Sequence, residues 1–126
     1  MSVKVDLAAL AETMADYGQA YLLTVSDDQR PHAVAVRPDL QGEALAVGHL
    51  GRRTQANLAE RPEVTLLFPP SEEGGYSLIV DGRAAGLDSD RAVVVPTHAV
   101  LHRPSDHLTT PTDGSCGNDC VPVGGD

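Results

Sequence analysis

The stretch Gly48-His49-Leu50-Gly51-Arg52-Arg53-Thr54-Gln55-Ala56-Asn57-Leu58-Ala59-Glu60-Arg61-Pro62-Glu63-Val64-Thr65-Leu66-Leu67-Phe68 changes its hydrophobic period twice. A strand ends at Gly48, two adjacent arginines follow Gly51, and Arg53 to Glu60 reads as one short helix. Pro62 closes that helix, because the residue before a proline is pushed out of the helical region. Glu63 to Phe68 then alternates as a strand. The first N–H groups of a helix are unpaired and carry the positive end of its dipole, so a paired cation placed there suits a phosphate.

Outward from this stretch the period is mostly two. Tyr21 to Ser26 reads as a strand, Asp27 to Pro31 as a polar turn, His32 to Arg37 as a second strand and Glu43 to Gly48 as a third. Connections this short predict antiparallel neighbours, so the three are expected to form a meander. On the second strand Val34 and Val36 share one face, while Ala33, Ala35 and Arg37 share the other. Upstream, Asp6 to Tyr17 reads as a helix with Leu7, Leu10, Ala11 and Met14 on one face. Asp6 is its expected N-cap, and Val5 and Leu10 are placed for a hydrophobic staple. Downstream, Tyr76 to Ala85 is a long strand with a bend or bulge expected at Asp81-Gly82. Arg91 to Val95 begins a sixth strand that continues past Pro96 towards Leu101. Six antiparallel strands with short loops and one inserted helix predict a small, mainly β barrel. From Pro104 the composition turns to Pro, Thr, Gly, Ser and Asp, which places a domain at 1–103 and an irregular tail at 104–126.

At 126 residues the chain makes one domain. Its apolar share is 41%, but with one Phe, three Tyr and no Trp the core must rest on Val, Leu and Ala. Such a core buries little area per side chain, so a homodimer interface is expected to supply more. The formal charge of −9 argues against nucleic acid, which needs clustered Lys and Arg. No apolar run approaches the roughly 18 residues of a bilayer span, and Met1 is not followed by a basic and then apolar segment. No membrane partner and a cytoplasmic location are therefore expected. Within this acidic chain the span from Arg30 to Arg61 is net positive, with Arg30, Arg37, Arg52, Arg53 and Arg61 against Asp39, Glu43 and Glu60.

The ordered set Tyr21-Leu22-Leu23-Thr24-Val25, Arg30-Pro31-His32-Ala33-Val34-Ala35-Val36, Gly51-Arg52-Arg53-Thr54-Gln55-Ala56-Asn57-Leu58, Arg61-Pro62-Glu63-Val64-Thr65-Leu66-Leu67-Phe68 and Tyr76-Ser77-Leu78-Ile79-Val80-Asp81-Gly82-Arg83-Ala84 resembles the pyridoxamine 5'-phosphate oxidase-like, FMN-binding split-barrel superfamily. The resemblance implies a six-stranded antiparallel split β-barrel with an N-terminal helix and one short inserted helix. It also implies a homodimer with a flavin in the groove between two barrels, either an oxidoreductase acting on a small-molecule substrate or a non-catalytic flavin- or haem-binding or sensing protein on the same fold. By that resemblance Arg52, Arg53 and Thr54 meet the flavin phosphate, while Val34, Val36 and Arg37 line the ring. The cofactor would be FMN or a deazaflavin coenzyme, with haem the choice of some relatives. Two departures argue against pyridoxamine phosphate oxidation itself. Gly86 to Asp90 leaves no room for helices between the last two strands, and the tail lacks a basic, histidine-containing segment.

The chemistry of these residues agrees with a phosphate. Guanidinium forks and a hydroxyl at a helix N-terminus match its oxygens. His49 and Gln55 stand close enough in sequence to reach ligand oxygens, and no side chain reads as a required acid or base. A cofactor would supply the redox chemistry, and the protein would position it. A rival zinc reading rests on His98, His102, His107, Cys116 and Cys120. The Cys-x-x-x-Cys spacing suits zinc, but no second close pair accompanies it, and no metal site is assigned.

Overall fold

The computed structural model of the protein describes residues 1–104, so the expected tail, with His107, Cys116 and Cys120, lies outside the described residues. Eight strands form one antiparallel sheet: β1 (Ser2–Lys4), β2 (Ala20–Val25), β3 (Pro31–Val36), β4 (Asp39–Gln41), β5 (Ala44–Val47), β6 (Glu63–Phe68), β7 (Ser77–Asp88) and β8 (Arg91–His102). A 3-10 turn at Leu7–Ala9 leads into α1 (Leu10–Met14), and α2 (Arg52–Glu60) joins β5 to β6.

The count of eight corrects the expected six. Ser2–Lys4 adds to β8, with Val3 opposite Leu101. Asp39–Gln41, between the second and third expected strands, pairs with β5, and Gly42 supplies the positive φ of 65° that their connection needs. The meander is also corrected. The sheet order is β3-β2-β6-β7-β8-β5-β4, so β3 and β5 are not neighbours. Pro38 carries no N–H and ends the β3 ladder. The chain then crosses from one edge of the sheet to the other in two residues, Arg37 and Pro38. The two edge strands must therefore converge at that corner, which curls the sheet into a barrel left open along one seam.

Inward positions follow the strand alternation and build the core from Leu22, Val36, Leu45, Val47, Leu66, Phe68, Leu78, Val80 and Val94. The one Phe meets Tyr17 edge-on at 6.0 Å, and the Tyr17 hydroxyl donates to the Tyr76 carbonyl at 2.8 Å. The N-terminal helix is shorter than expected. Asp6 Oδ1 accepts the Ala8 N–H at 3.1 Å and starts a 3-10 turn, which leaves Leu7 exposed while Val5 and Leu10 are buried.

Where β7 meets β8 the ladder slips between Asp81 and Gly82, as the Asp81-Gly82 pair predicts. Gly82 faces Pro96, and Thr97 is the additional residue on β8. A side chain at position 82 has no room: its Cβ would lie 2.7 Å from Val94 Cγ1 and 2.8 Å from the Val95 carbonyl. The bulge bends the longest hairpin around the core.

Helix α2 turns Thr54, Asn57 and Leu58 towards the barrel, the i, i+3, i+4 stripe of a short helix on a core. Asn57 Nδ2 donates to Thr24 Oγ1 at 3.0 Å, with both side chains buried. Arg61 holds the other end, donating from Nε to the Val25 carbonyl at 2.7 Å and pairing with Asp27 at 2.9 Å. The helix is thereby fixed to β2 and to the turn after it.

Gly82→Ala is expected to cost about 2–3 kcal/mol in a denaturant titration, because the Val95 carbonyl and the buried Val94 side chain both obstruct the new methyl. Asn57→Leu alone should cost about 1–3 kcal/mol by leaving the Thr24 hydroxyl buried without a partner, and adding Thr24→Val should recover part of that loss. Simple additivity of the two changes would refute the Asn57–Thr24 coupling.

Candidate functional site

Helix α2 opens on Gly51, an extended residue (φ −77°, ψ 175°) that offers no side-chain cap, and its first turn holds no acidic residue. The first intrahelical bond runs from the Gln55 N–H to the Gly51 carbonyl at 3.0 Å. The N–H groups of Arg52, Arg53 and Thr54 therefore precede the ladder and point out of the helix end. Beside them the Arg52 and Arg53 side chains are exposed, and among the described residues neither closes an ion pair. In a chain of −9 this helix start is locally basic.

The turn after β2 lies by the C-terminal end of α2, where Arg61 pairs with Asp27. The Ser26 hydroxyl bonded to Asp28 is the main reason that carboxyl lies below its ordinary range, and the Arg53 guanidinium adds to the lowering. Arg37 stands at the opposite end of β3 from that turn, roughly 20 Å of strand away, so the structure does not gather it with Arg53.

The other expected residues divide. Thr54 is fully buried under the helix, and its Oγ1 is the buried side-chain oxygen without a hydrogen-bond partner among the described residues. Its hydroxyl is not presented to solvent with the arginines, because the Thr54–Asn57–Leu58 stripe faces the core. Gln55 is half-buried and donates from Nε2 to the Leu50 carbonyl at 2.7 Å, so it braces the loop before the helix. His49 is exposed and held at φ 61°, a left-handed conformation that a non-glycine residue adopts at some cost. Val34 and Val36, expected to line a ring, stand on the inward side of β3. Val36 belongs to the buried core and Val34 packs against it, so the outward side of β3 presents Ala33, Ala35 and Arg37.

Sequence reading missed a feature of the outer face. The ladders place Ala35, Tyr21, Leu67, Ile79 and Val100 in one row across β3, β2, β6, β7 and β8. Tyr21 is 38% exposed in that row. Alternation hides such a row in the sequence, since each strand contributes a single outward apolar residue. The next row passes through Leu23, Thr65, Asp81 and His98, where Thr65 donates to Asp81 at 2.7 Å. Among the described residues no three His, Cys, Asp or Glu side chains gather as a metal site, and no helix is long and apolar enough to cross a membrane.

The geometry can be set beside known proteins. No protein-family profile matches the chain. The uncharacterized proteins Mb0449c of Mycobacterium bovis and MT0457 of Mycobacterium tuberculosis are each 48% identical over 133 aligned positions, covering 94% of this chain and 94% of theirs. Among solved structures, an F420 reductase superposes with a TM-score of 0.60 at 21% identity, covering 70% of this chain and 94% of its own. An FAD-binding protein from Mesorhizobium loti gives 0.62 at 12% identity, covering 80% and 96%. HutZ, the haem storage protein from Vibrio cholerae, gives 0.53 at 14% identity, covering 74% and 91%. The fold is common to all three, and their ligands differ. The chain belongs to one family with the two mycobacterial proteins, and it shares its fold with these solved proteins, in keeping with the split barrel that the sequence resembles.

Proposed function

We propose that this protein binds a flavin-type cofactor, FMN or a deazaflavin coenzyme, by its phosphate at the N-terminus of α2. The observation that carries the reading is the uncapped helix end with two exposed, unpaired arginines in an otherwise acidic chain. The residues fit a phosphate ester. Three unpaired N–H groups end the helix beside Arg52 and Arg53, and no carboxylate occupies the first helical turn. Arg52 and Arg53 would hold the phosphate, the backbone of the first turn would orient it, and His49 would border it. The ring would lie against outward residues of β3, where Ala33 and Ala35 leave a flat floor. When bound, such a cofactor supplies hydride or electron transfer, and the chain positions it against a small-molecule substrate. Solved proteins of this fold that carry flavin, deazaflavin or haem in their names support the ligand class.

The same reading makes the protein a homodimer. The apolar row from Ala35 to Val100 lies on the outer face, where a second copy would cover it. A dimer would also add the buried area that a core of Leu, Val and Ala lacks.

The absorbance spectrum of the purified protein tests the ligand class directly. Flavin or deazaflavin bands, or their appearance on titration, are expected; a Soret band in their place would move the protein to the haem-binding branch. Arg52→Glu combined with Arg53→Glu should weaken FMN or deazaflavin binding by about a hundredfold or more with the melting midpoint retained. Undiminished affinity in that double variant would sink the phosphate assignment. Tyr21→Arg should shift the sedimenting species from dimer to monomer, and an unchanged mass would remove the outer row as the interface.

A further inference from the structure

The outer face of the sheet holds a carboxylate that the rest of the protein leaves uncompensated. Leu23, Thr65 and Asp81 stand side by side in an outward row of β2, β6 and β7, next to the apolar row of Tyr21, Leu67 and Ile79. Asp81 is half-buried there, and its Oδ1 accepts the Thr65 hydroxyl at 2.7 Å. That bond orients the carboxylate without neutralising it. Among the described residues Asp81 closes no ion pair, and its Oδ2 accepts no hydrogen bond. His98 is its ladder partner on β8 and does not bond to it. Arg83, two residues along β7, is committed to Glu63. A carboxylate drawn into an apolar surface is costly to keep charged unless a partner reaches it.

A second, independent feature is the space over this carboxylate. Where the bulge adds Thr97 to β8, an open groove of about 430 Å³ runs along the outer face. Leu23, Val25 and Pro31 line it on the β2–β3 side, and Thr65, Asp81 and Thr97 line it on the other. Glu63 also borders the groove, but its charge is met by Arg83. The Thr97 hydroxyl donates to the Asp81 carbonyl at 3.3 Å, which ties the added residue to the one that supplies the charge. A groove with apolar walls and one oriented polar group has the make-up of a small-molecule site.

We propose that this groove binds a small amine with an apolar body, and that Asp81 receives its ammonium group. The ammonium gives Oδ2 the charge-assisted hydrogen bond that the protein withholds, and the apolar body lies against Leu23, Val25 and Pro31. A divalent metal needs several oxygen ligands at once, which one carboxylate and one hydroxyl do not supply. An anion would face Asp81 unscreened, whereas a chain of −9 draws cations towards it. The site goes beyond the cofactor reading and does not depend on it, since no residue of α2 takes part. Ala33 continues the row on β3, about 14 Å from Asp81 across three strand spacings. The amine's apolar body therefore points towards the floor on which the ring is placed.

The test uses the full chain without any flavin, and benzylamine and benzyl alcohol as probes that share a ring and differ in charge. Backbone amide shifts report where each one binds. Benzylamine is expected to move the amides of Leu23, Thr65, Asp81 and Thr97 saturably, and to bind about tenfold or more tightly than benzyl alcohol. Asp81→Asn keeps an oxygen for the Thr65 hydroxyl, and it should bring benzylamine down to the level of benzyl alcohol. Thr65→Val should weaken benzylamine by freeing the carboxylate to turn, and Arg52→Glu with Arg53→Glu should leave it unchanged. The comparison of the two probes on the wild type needs no variant to fold, and equal affinities there would reject the site. Unchanged benzylamine affinity in a folded Asp81→Asn chain would reject it too, as would shifts scattered over other carboxylates. Movement of the four amides with protein concentration, and none with benzylamine, would give the groove to a second copy of the chain instead.

Discussion

The contact between Gly82 and Pro96 sets the shape on which the rest depends. Pro96 offers no N–H to the ladder and Gly82 offers no side chain, so backbone can approach backbone and the register slips by one residue. That bulge bends the longest hairpin, and the bend lets β5 and β1 share the second side of β8. With β5 placed there, the short link Arg37-Pro38 can bring the opposite edge of the sheet round to β4. A straight hairpin would leave the barrel flat and would leave α2 with no end to cover.

The basic helix start follows from where α2 is fixed rather than from many charges. Asn57 and Arg61 fasten the middle and the C-terminal end of the helix to β2 and its turn, which leaves the N-terminal end free to face solvent. Gly51 withholds a cap, so the helix end keeps its unpaired N–H groups. Elsewhere the cations are used structurally: Arg30, Arg61 and Arg83 each pair with a carboxylate. These exposed pairs contribute little to stability, and among the described residues they leave Arg52 and Arg53, with Lys4, Arg37, Arg91 and Arg103, outside any ion pair.

Much of the fold was legible because period-two segments bounded by Gly and Pro specify strands locally. β6 was read to the residue, and the bulge at Asp81-Gly82 was anticipated from composition. The errors arose where information is not local. Ser2–Lys4 and Asp39–Gln41 are three-residue strands whose pairing depends on partners far along the chain, and no window that short reveals them. Strand order was misread for the same reason, since a two-residue link across Pro38 looks in sequence like a hairpin and in space is a crossing. At the site, the helix start at Arg52 and Arg53 was legible because Gly51 and the change of period mark it locally. The burial of Thr54, Val34 and Val36 was not, because it depends on the core that α2 and β3 cover.

The pairing of β1 with β8 has a consequence for the order in which the chain takes shape. Ser2 finds its partner in His102, so the first strand made cannot be completed until nearly the last described residue has left the ribosome. At about 5–20 residues per second, the amino-terminal segment waits roughly 5–20 seconds with its edge groups open. During that interval β2 and β3 can already close, since only the Ser26–Arg30 turn separates them. The newborn protein is thus a hairpin seeking its far strands, and nascent-chain handling of Val3 and Val5 falls in that window.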